Sequence, residues 1–354
     1  MTKSWAAITA AVFLTGCAAA PRVMEYFPED PEQQIRTSWP ASDQAPRLEY
    51  AGQLIGEQNF VLEQGSENRG ERFLRWLVGL GSGRDKVNQL LRPQSGIVDT
   101  SGRILVTDAG RPSVFVFDEA NAMLAVWHEA AAGIDFLSPV GIAARGTGEY
   151  LVADAQLGEV FVLSEDGIPV GRFGGDALIR PTGIDIDEVT GKVYVADRGA
   201  HEVKVFSGDG NLLQTIGVPG SAPGELNAPM HIRVAGSKIY VSDSLNANVQ
   251  IFSLTDGHRL GQIGQRGLFV GNMVRPKGVT VDSEGNIYVV ESYYDHLLIY
   301  DESGQFLLPI GGTGSDVGQF FLPAGMWSDK TDRIFVADMF NSRVVIFRYV
   351  GTGK

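Results

Sequence analysis

Cysteine is almost absent from this chain: Cys17 is the single one, so no disulfide can form within it. Basic residues are in deficit, 29 Lys and Arg against 42 Asp and Glu, for a formal charge of −13. Phosphate contacts need a basic face, so this balance argues against a nucleic-acid partner and suits a protein in solvent. The apolar run at the N-terminus is shorter than the roughly 20 residues of a bilayer-spanning helix. Gly-x-Ser-x-Gly, a Walker loop, calcium-loop spacing and His-Glu-x-x-His are all missing. No cofactor, metal or catalytic residue is therefore expected. What is abundant is glycine: 44 residues, about one in eight, against an average near 7%. With 44% apolar residues and no collagen period, that composition points to a turn-rich β fold.

The first residues, "MTKSWAAITAAVFLTGC", carry Lys3, an uncharged apolar run and Leu14-Thr15-Gly16-Cys17. The run reads as an export signal. Leu-Thr-Gly-Cys resembles the bacterial lipoprotein box, whose cysteine thiol takes a diacylglycerol and becomes the new N-terminus. An ordinary signal peptide with a chance cysteine is the other reading. The resemblance implies residues 1–16 as signal peptide and Cys17 as the lipid attachment site. It makes the protein an exported outer-membrane lipoprotein, held to the membrane by its lipid alone, with Ala18 in place of Asp implying the outer membrane. Residues 17–46 hold Pro21, Pro28, Pro31, Pro40 and Pro46 among polar residues, which reads as a lipidated tether.

From there one pattern is written six times. The strand pairs are "ILVTDAGRPSVFVFD" from Ile104, "YLVADAQLGEVFVLS" from Tyr150 and "VYVADRGAHEVKVFS" from Val193. "IYVSDSLNANVQIFS" from Ile239, "IYVVESYYDHLLIYD" from Ile287 and "IFVADMFNSRVVIFR" from Ile334 complete the set. Each pair follows a proline, at Pro93, Pro139, Pro181, Pro229, Pro276 and Pro323, spaced by 46, 42, 48, 47 and 47 residues. Counting a strand after each proline and one after each pair gives four strands per unit. Such a unit buries its faces by stacking on neighbours around an axis, which is the β-propeller solution. The Pro-x-Gly-Val/Ile start, Tyr-Val-x-Asp second strand and Val-x-Val-Phe third strand resemble the NHL repeat over about residues 90–348. No Trp-Asp dipeptide occurs, which removes the WD40 reading. The expected fold is all-β: a six-bladed NHL-type β-propeller over residues 47–350, with four-stranded blades and the last blade closed by an N-terminal strand.

The sixth repeat stops at Tyr349 without a fourth strand. Gly81 to Pro93 spans twelve residues, as Gly311 to Pro323 does, so residues 72–80 are expected to supply the missing strand. "RLEYAGQLIG", residues 47–56, is a rival for that role or an additional strand.

An acid ends the second strand of every unit: Asp108, Asp154, Asp197, Asp243, Glu291 and Asp338. A carboxylate there can accept backbone N–H groups of the following turn, so these six read as architecture, and function is sought where units differ. Arg92, Arg180 and Arg275 precede the proline in alternate units; they either pair locally or form an anion- or partner-binding ring. His231 stands where most units have glycine, near the axis, as a packed histidine or a ligand. Amidating lyases built on NHL repeats hold zinc with several axial histidines, and zinc catalysis uses about three protein ligands. The matching positions here are Ser95-Gly96, Val140-Gly141, Thr182-Gly183, Lys277-Gly278 and Ala324-Gly325, so that site is not written. Arg198, Tyr293, Tyr294 and Arg343 sit between second and third strands, of the types that anchor interfaces, with Tyr293 and Tyr294 equally readable as cover for the rim of a blade. Arg343, with Asn341, keeps the Asn-x-Arg of the NHL repeat, where the arginine is also expected to pack or pair within its blade. The leading expectation is a binding or scaffold module for a protein, peptide or glycan at the cell envelope. The alternative is a hydrolase or lyase, resembling lactonases or amidating lyases, with an axial metal pocket.

Overall fold

The computed structural model describes residues 21–26, 37–40, 47–63, 88–146 and 148–351. Five four-stranded antiparallel sheets follow the chain in order, beginning at Pro93, Pro139, Pro181, Pro229 and Pro276. A sixth sheet holds Met326–Ser328, Arg333–Asp338 and Arg343–Tyr349. The second and third strands are near-continuous apolar runs whose side chains point alternately to opposite faces, so each sheet has two greasy faces and neither can be left in water. Six hydrophobic clusters resolve this, each between two successive blades. In blade one, Ile104 and Val106 pack against Trp327 and Phe335 of blade six, while Leu105 turns to Ile142 and Val152 of blade two. The cluster between blades six and one makes the ring closed: a six-bladed β-propeller.

The closing strand is Leu48–Leu54, which pairs with Arg343–Tyr349 from Leu54 opposite Val344 to Leu48 opposite Tyr349. This corrects the expectation for residues 72–80, which lie outside the described residues; the place beside the third strand of blade six is already filled. Leu48 and Leu54 are fully buried, in the clusters on either side of that blade. Ser38–Trp39 adds a fifth strand to the same sheet, and the Trp39 ring meets Phe347 edge-on at 5.4 Å. Arg22–Met24 pairs with Phe60–Leu62, placing Met24 in the cluster between blades six and one. These segments fall within 17–46, so the tether reading does not hold for them. Buried Asn59 organises this N-terminal wrap: its amide donates to the carbonyls of Glu25 and Gln53, and its Oδ1 accepts from Ile55 and Gly56. The leader and Cys17 lie outside the described residues. Among the described residues no helix is long and apolar enough to cross a membrane.

The antiparallel order sets two faces. Connections into each first strand, and the second-to-third-strand turns, end on one side, here the lead-in face. First-to-second and third-to-fourth turns end on the other, where exposed acids such as Asp166, Glu188, Asp209, Asp256 and Glu302 collect.

Candidate functional site

The recurrent acids join the two kinds of lead-in-face connection. Asp108 accepts from the N–H groups of Leu91 and Arg92 before the first strand and of Gly110 and Arg111 in the turn. Asp154 repeats this with Leu137, Ser138, Gln156 and Leu157, and Asp197 with Ile179, Arg180, Gly199 and Ala200. Glu291 accepts from Val274, Arg275 and Tyr293. Asp243 and Asp338 keep one backbone donor each, Asn227 and Phe321, and take side-chain amides from Asn246 and Asn341 instead. Burial pushes both of these carboxyls above the ordinary range, against the pull of those donors.

With its backbone pinned by the acid, each lead-in arginine projects its side chain outward. Arg92, Arg180 and Arg275 are exposed, and none of the three has an ion pair among the described residues. The Arg92 guanidinium lies over the Phe340 ring at 5.8 Å. Arg198 is exposed beside Arg180, whose carbonyl accepts its N–H at 3.0 Å. Tyr293 is 57% exposed and meets Tyr294 edge-on at 4.9 Å. Arg343 differs. Its side chain is only 12% exposed, with Nε donating to Asp338 at 2.8 Å and its Nη atoms to Gln53 and the Gln319 carbonyl. It latches the closing strand to blade six, which corrects its place among binding-face candidates.

Most exposed large apolar side chains of the described residues also belong to lead-in-face connections, among them Ile179, Leu245, Leu268, Phe269, Phe321 and Phe340. Leu268 and Phe269 are each 83% exposed. Beneath them, Val270, Gly271, Tyr294, His296 and Leu298 line an apolar cavity of about 100 Å³. The stretch Glu291 to Asp295 is thus both a hairpin bend and one wall of a concave site.

At the axis the first strands converge so closely that glycine is required. A Cβ on Gly183 would lie 2.7 Å from the His231 backbone, and one on Gly325 would lie 2.2 Å from the Gln94 carbonyl oxygen. Hydroxyls stitch neighbouring blades there: Thr182 donates to the Pro229 carbonyl, and Ser242 to that of Lys277. Two blades carry a side chain at the glycine position, Ser95 in blade one and His231 in blade four, and these meet at 3.3 Å. On one side of this contact lies a channel of about 410 Å³, bordered by His231, Arg233, Asp185 and Trp327. On the other is a vestibule of about 50 Å³ toward the lead-in face, bordered by Gln94, Thr182, Met230 and Lys277.

His231 is held well below the ordinary histidine range, at about 4, by burial and then by the Arg233 guanidinium. Its Nδ1 is buried and, among the described residues, meets no partner at good hydrogen-bond geometry, with the Val279 backbone nearby. Asp185, 3.6 Å from Arg233, is pushed up by burial. Sequence reasoning passed over Lys277. Burial lowers this ammonium, and the Arg275 and Arg198 guanidiniums lower it further, only partly offset by Asp295 and Glu291. Its signal was available: among residues directly following the six prolines, it is the charged one. Among the described residues no group of three or more His, Cys, Asp or Glu is placed to hold a metal ion.

The fold defines the class, a six-bladed β-propeller, and its sequence matches agree. The description NHL repeat matches residues 178–206, within blade three, and the description 6-bladed beta-propeller matches residues 225–295. NHL repeat-containing protein 3 of Homo sapiens is 31% identical over 146 residues, covering 38% of this chain and 40% of that protein. The E3 ubiquitin-protein ligase NHLRC1 of Homo sapiens is 26% identical over 132 residues, 36% of this chain and 31% of its own. The chain thus spans less than half the length of these curated relatives. A gluconolactonase from Xanthomonas campestris superposes with a TM-score of 0.57 at 15% identity, over 73% of this chain and 86% of that one. At that identity the likeness shows the fold alone.

Proposed function

We propose that this protein is a binding and scaffold propeller that holds a protein partner on its lead-in face. The carrying observation is the ring of exposed guanidiniums at Arg92, Arg180 and Arg275, without an ion pair among the described residues and interspersed with exposed apolar side chains, on a chain that is acidic overall. Arginine and aromatic anchors on a rigid surface are what interfaces use, and a closed ring spares them the ordering cost of binding. A relative that is a ubiquitin-protein ligase acts on proteins, which is in keeping with this reading. A peptide or glycan partner is the narrower form of the proposal. Its place, by the lipoprotein box, is the cell envelope, with lipid on Cys17 and the partner in the periplasm or at the cell surface.

The test is photo-crosslinking in intact cells, with partner identification, for the wild type and for Arg92→Gln/Arg180→Gln/Arg275→Gln. The variant should keep its denaturation midpoint and lose most partner yield. Undiminished yield from the folded variant refutes the proposal.

A second reading, hydrolysis or lyase chemistry at the axis, has the Ser95–His231 contact in its favour. It requires turnover of an ester or lactone that Ser95→Ala abolishes.

A further inference from the structure

The lead-in face around blade five combines two features that no architectural role explains. The first is a cluster of cations that Asp295 and Glu291 offset only in part. Lys277 lies at the rim of the axial vestibule, and Arg275 and Arg198 are near enough to disfavour its charge. None of the three side chains has an ion pair or hydrogen bond among the described residues. A partly desolvated ammonium with two guanidiniums in its neighbourhood would be favoured by a further anion. A carboxylate suits the guanidinium forks.

The second feature is the apolar cavity under Leu268, Phe269 and Val270, with Tyr294 as its opposite wall. The loop above it is pinned, since Tyr300 Oη donates to the Gly271 carbonyl at 2.8 Å and Asn272 N–H to that of Phe269 at 2.9 Å. The cavity has room for one aliphatic side chain. Glu291 connects the two features, accepting from Arg275 on one side and Tyr293 on the other. Neighbouring strands lie about 4.8 Å apart, so one or two strand spacings separate them, a span covered by about two or three extended residues.

We propose that this part of the face receives an acidic, apolar-anchored segment of a protein partner. Its carboxylate sits among Arg198, Arg275 and Lys277, and its aliphatic side chain fills the cavity between Phe269 and Tyr294. The proposal rests on the lead-in face being the partner face. Charge complementarity selects an acidic segment over a basic one. The recessed lysine and concave cavity favour a side chain over a flat bilayer surface.

The test uses the full chain and short fluorescein-labelled peptides carrying one glutamate and one leucine across glycine spacers of varied length, read by fluorescence polarisation. Binding should peak at one spacing, weaken as salt rises, and fall about tenfold or more with Lys277→Met or Phe269→Ser. Replacing the peptide's glutamate or leucine by alanine should do the same. Equal binding of peptides lacking glutamate, or no glutamate-dependent binding up to about 1 mM, overturns the proposal. So does sedimentation with phosphatidylglycerol vesicles that Phe269→Ser abolishes in the absence of peptide binding, which assigns this patch to membrane. In cells, capture lost in the triple arginine variant but kept in Lys277→Met and Phe269→Ser sinks the two-part receptor alone. Capture kept in all variants sinks the parent reading too.

Discussion

Ser95 and His231 are 136 residues apart and belong to opposite blades of the ring, yet their side chains meet across the axis at 3.3 Å. They occupy the position that glycine holds in the other four blades, so a side chain there can point only into the channel. The contact places a bar between the channel on the acidic-turn side and the vestibule beneath Lys277. A neutral imidazole suits this place. Burial and Arg233 both disfavour its proton, and Nε2 needs only the Ser95 hydroxyl as partner.

That protonation preference sets a pH dependence. His231 titrates near 4 when folded, below its ordinary 6.5. Between those values the unfolded chain binds the extra proton, so stability is full above about pH 6.5 and falls as pH drops toward 4. The loss is at most about 3 kcal/mol, less where channel water screens the ring. Asp185, raised by burial, works in the opposite direction, so the difference between wild type and His231→Gln isolates the imidazole. Urea denaturation at pH 4.5 and 7 should show a smaller acid loss in the variant. Equal losses would mean that His231 carries an ordinary pKa.

The second prediction concerns the acids that tie lead-in to turn. Asp108→Asn keeps the shape but turns half of a fourfold acceptor into a donor facing backbone N–H groups. Charge-assisted bonds of this kind are worth more than neutral ones, so a cost of about 2–3 kcal/mol is expected. Calorimetry should show a lower Tm. Asp154→Asn should cost a similar amount, because its four donors match. An unchanged Tm in both would remove the acids from the account of stability.

A third prediction tests the closure. Leu54 is fully buried between blades six and one, so Leu54→Ala should cost about 2–4 kcal/mol as the site fails to collapse around the deletion. Limited proteolysis should then cut first within residues 47–63, opening the ring at the N-terminal strand. Cleavage elsewhere, with residues 47–63 still protected, would deny that strand its latching role.

The six blades were legible because prolines, paired apolar strands and terminal acids repeat at nearly constant spacing, which only a stacked architecture can use. The identity of the closing strand was not. Both 47–56 and 72–80 carry strand-like composition, and only tertiary packing distinguishes them, through Leu48 and Leu54 entering two inter-blade cores. His231 was visible as an exception to glycine. Its partner was not, since sequence places Ser95 in a remote repeat and says nothing of pairing across an axis. Arg343 drew notice for its type, but the fold spends its guanidinium on Asp338 and Gln53. Lys277 escaped because a lysine near a strand start reads as surface until neighbouring cations are known.

The last prediction follows from the leader. A diacylglycerol on Cys17, with a further acyl chain at the new N-terminus, would bury enough methylene groups to hold the protein on a membrane, at about 0.8 kcal/mol for each. Cys17→Ser should therefore lose incorporated labelled palmitate and move wholly from the membrane to the soluble fraction. Its denaturation midpoint should not change, because the closed ring is built from residues beyond the leader. Membrane retention of unlabelled Cys17→Ser protein would show that the exposed lead-in face, rather than a lipid, holds it there, and would move Phe269 and its neighbours from partner contact to membrane contact.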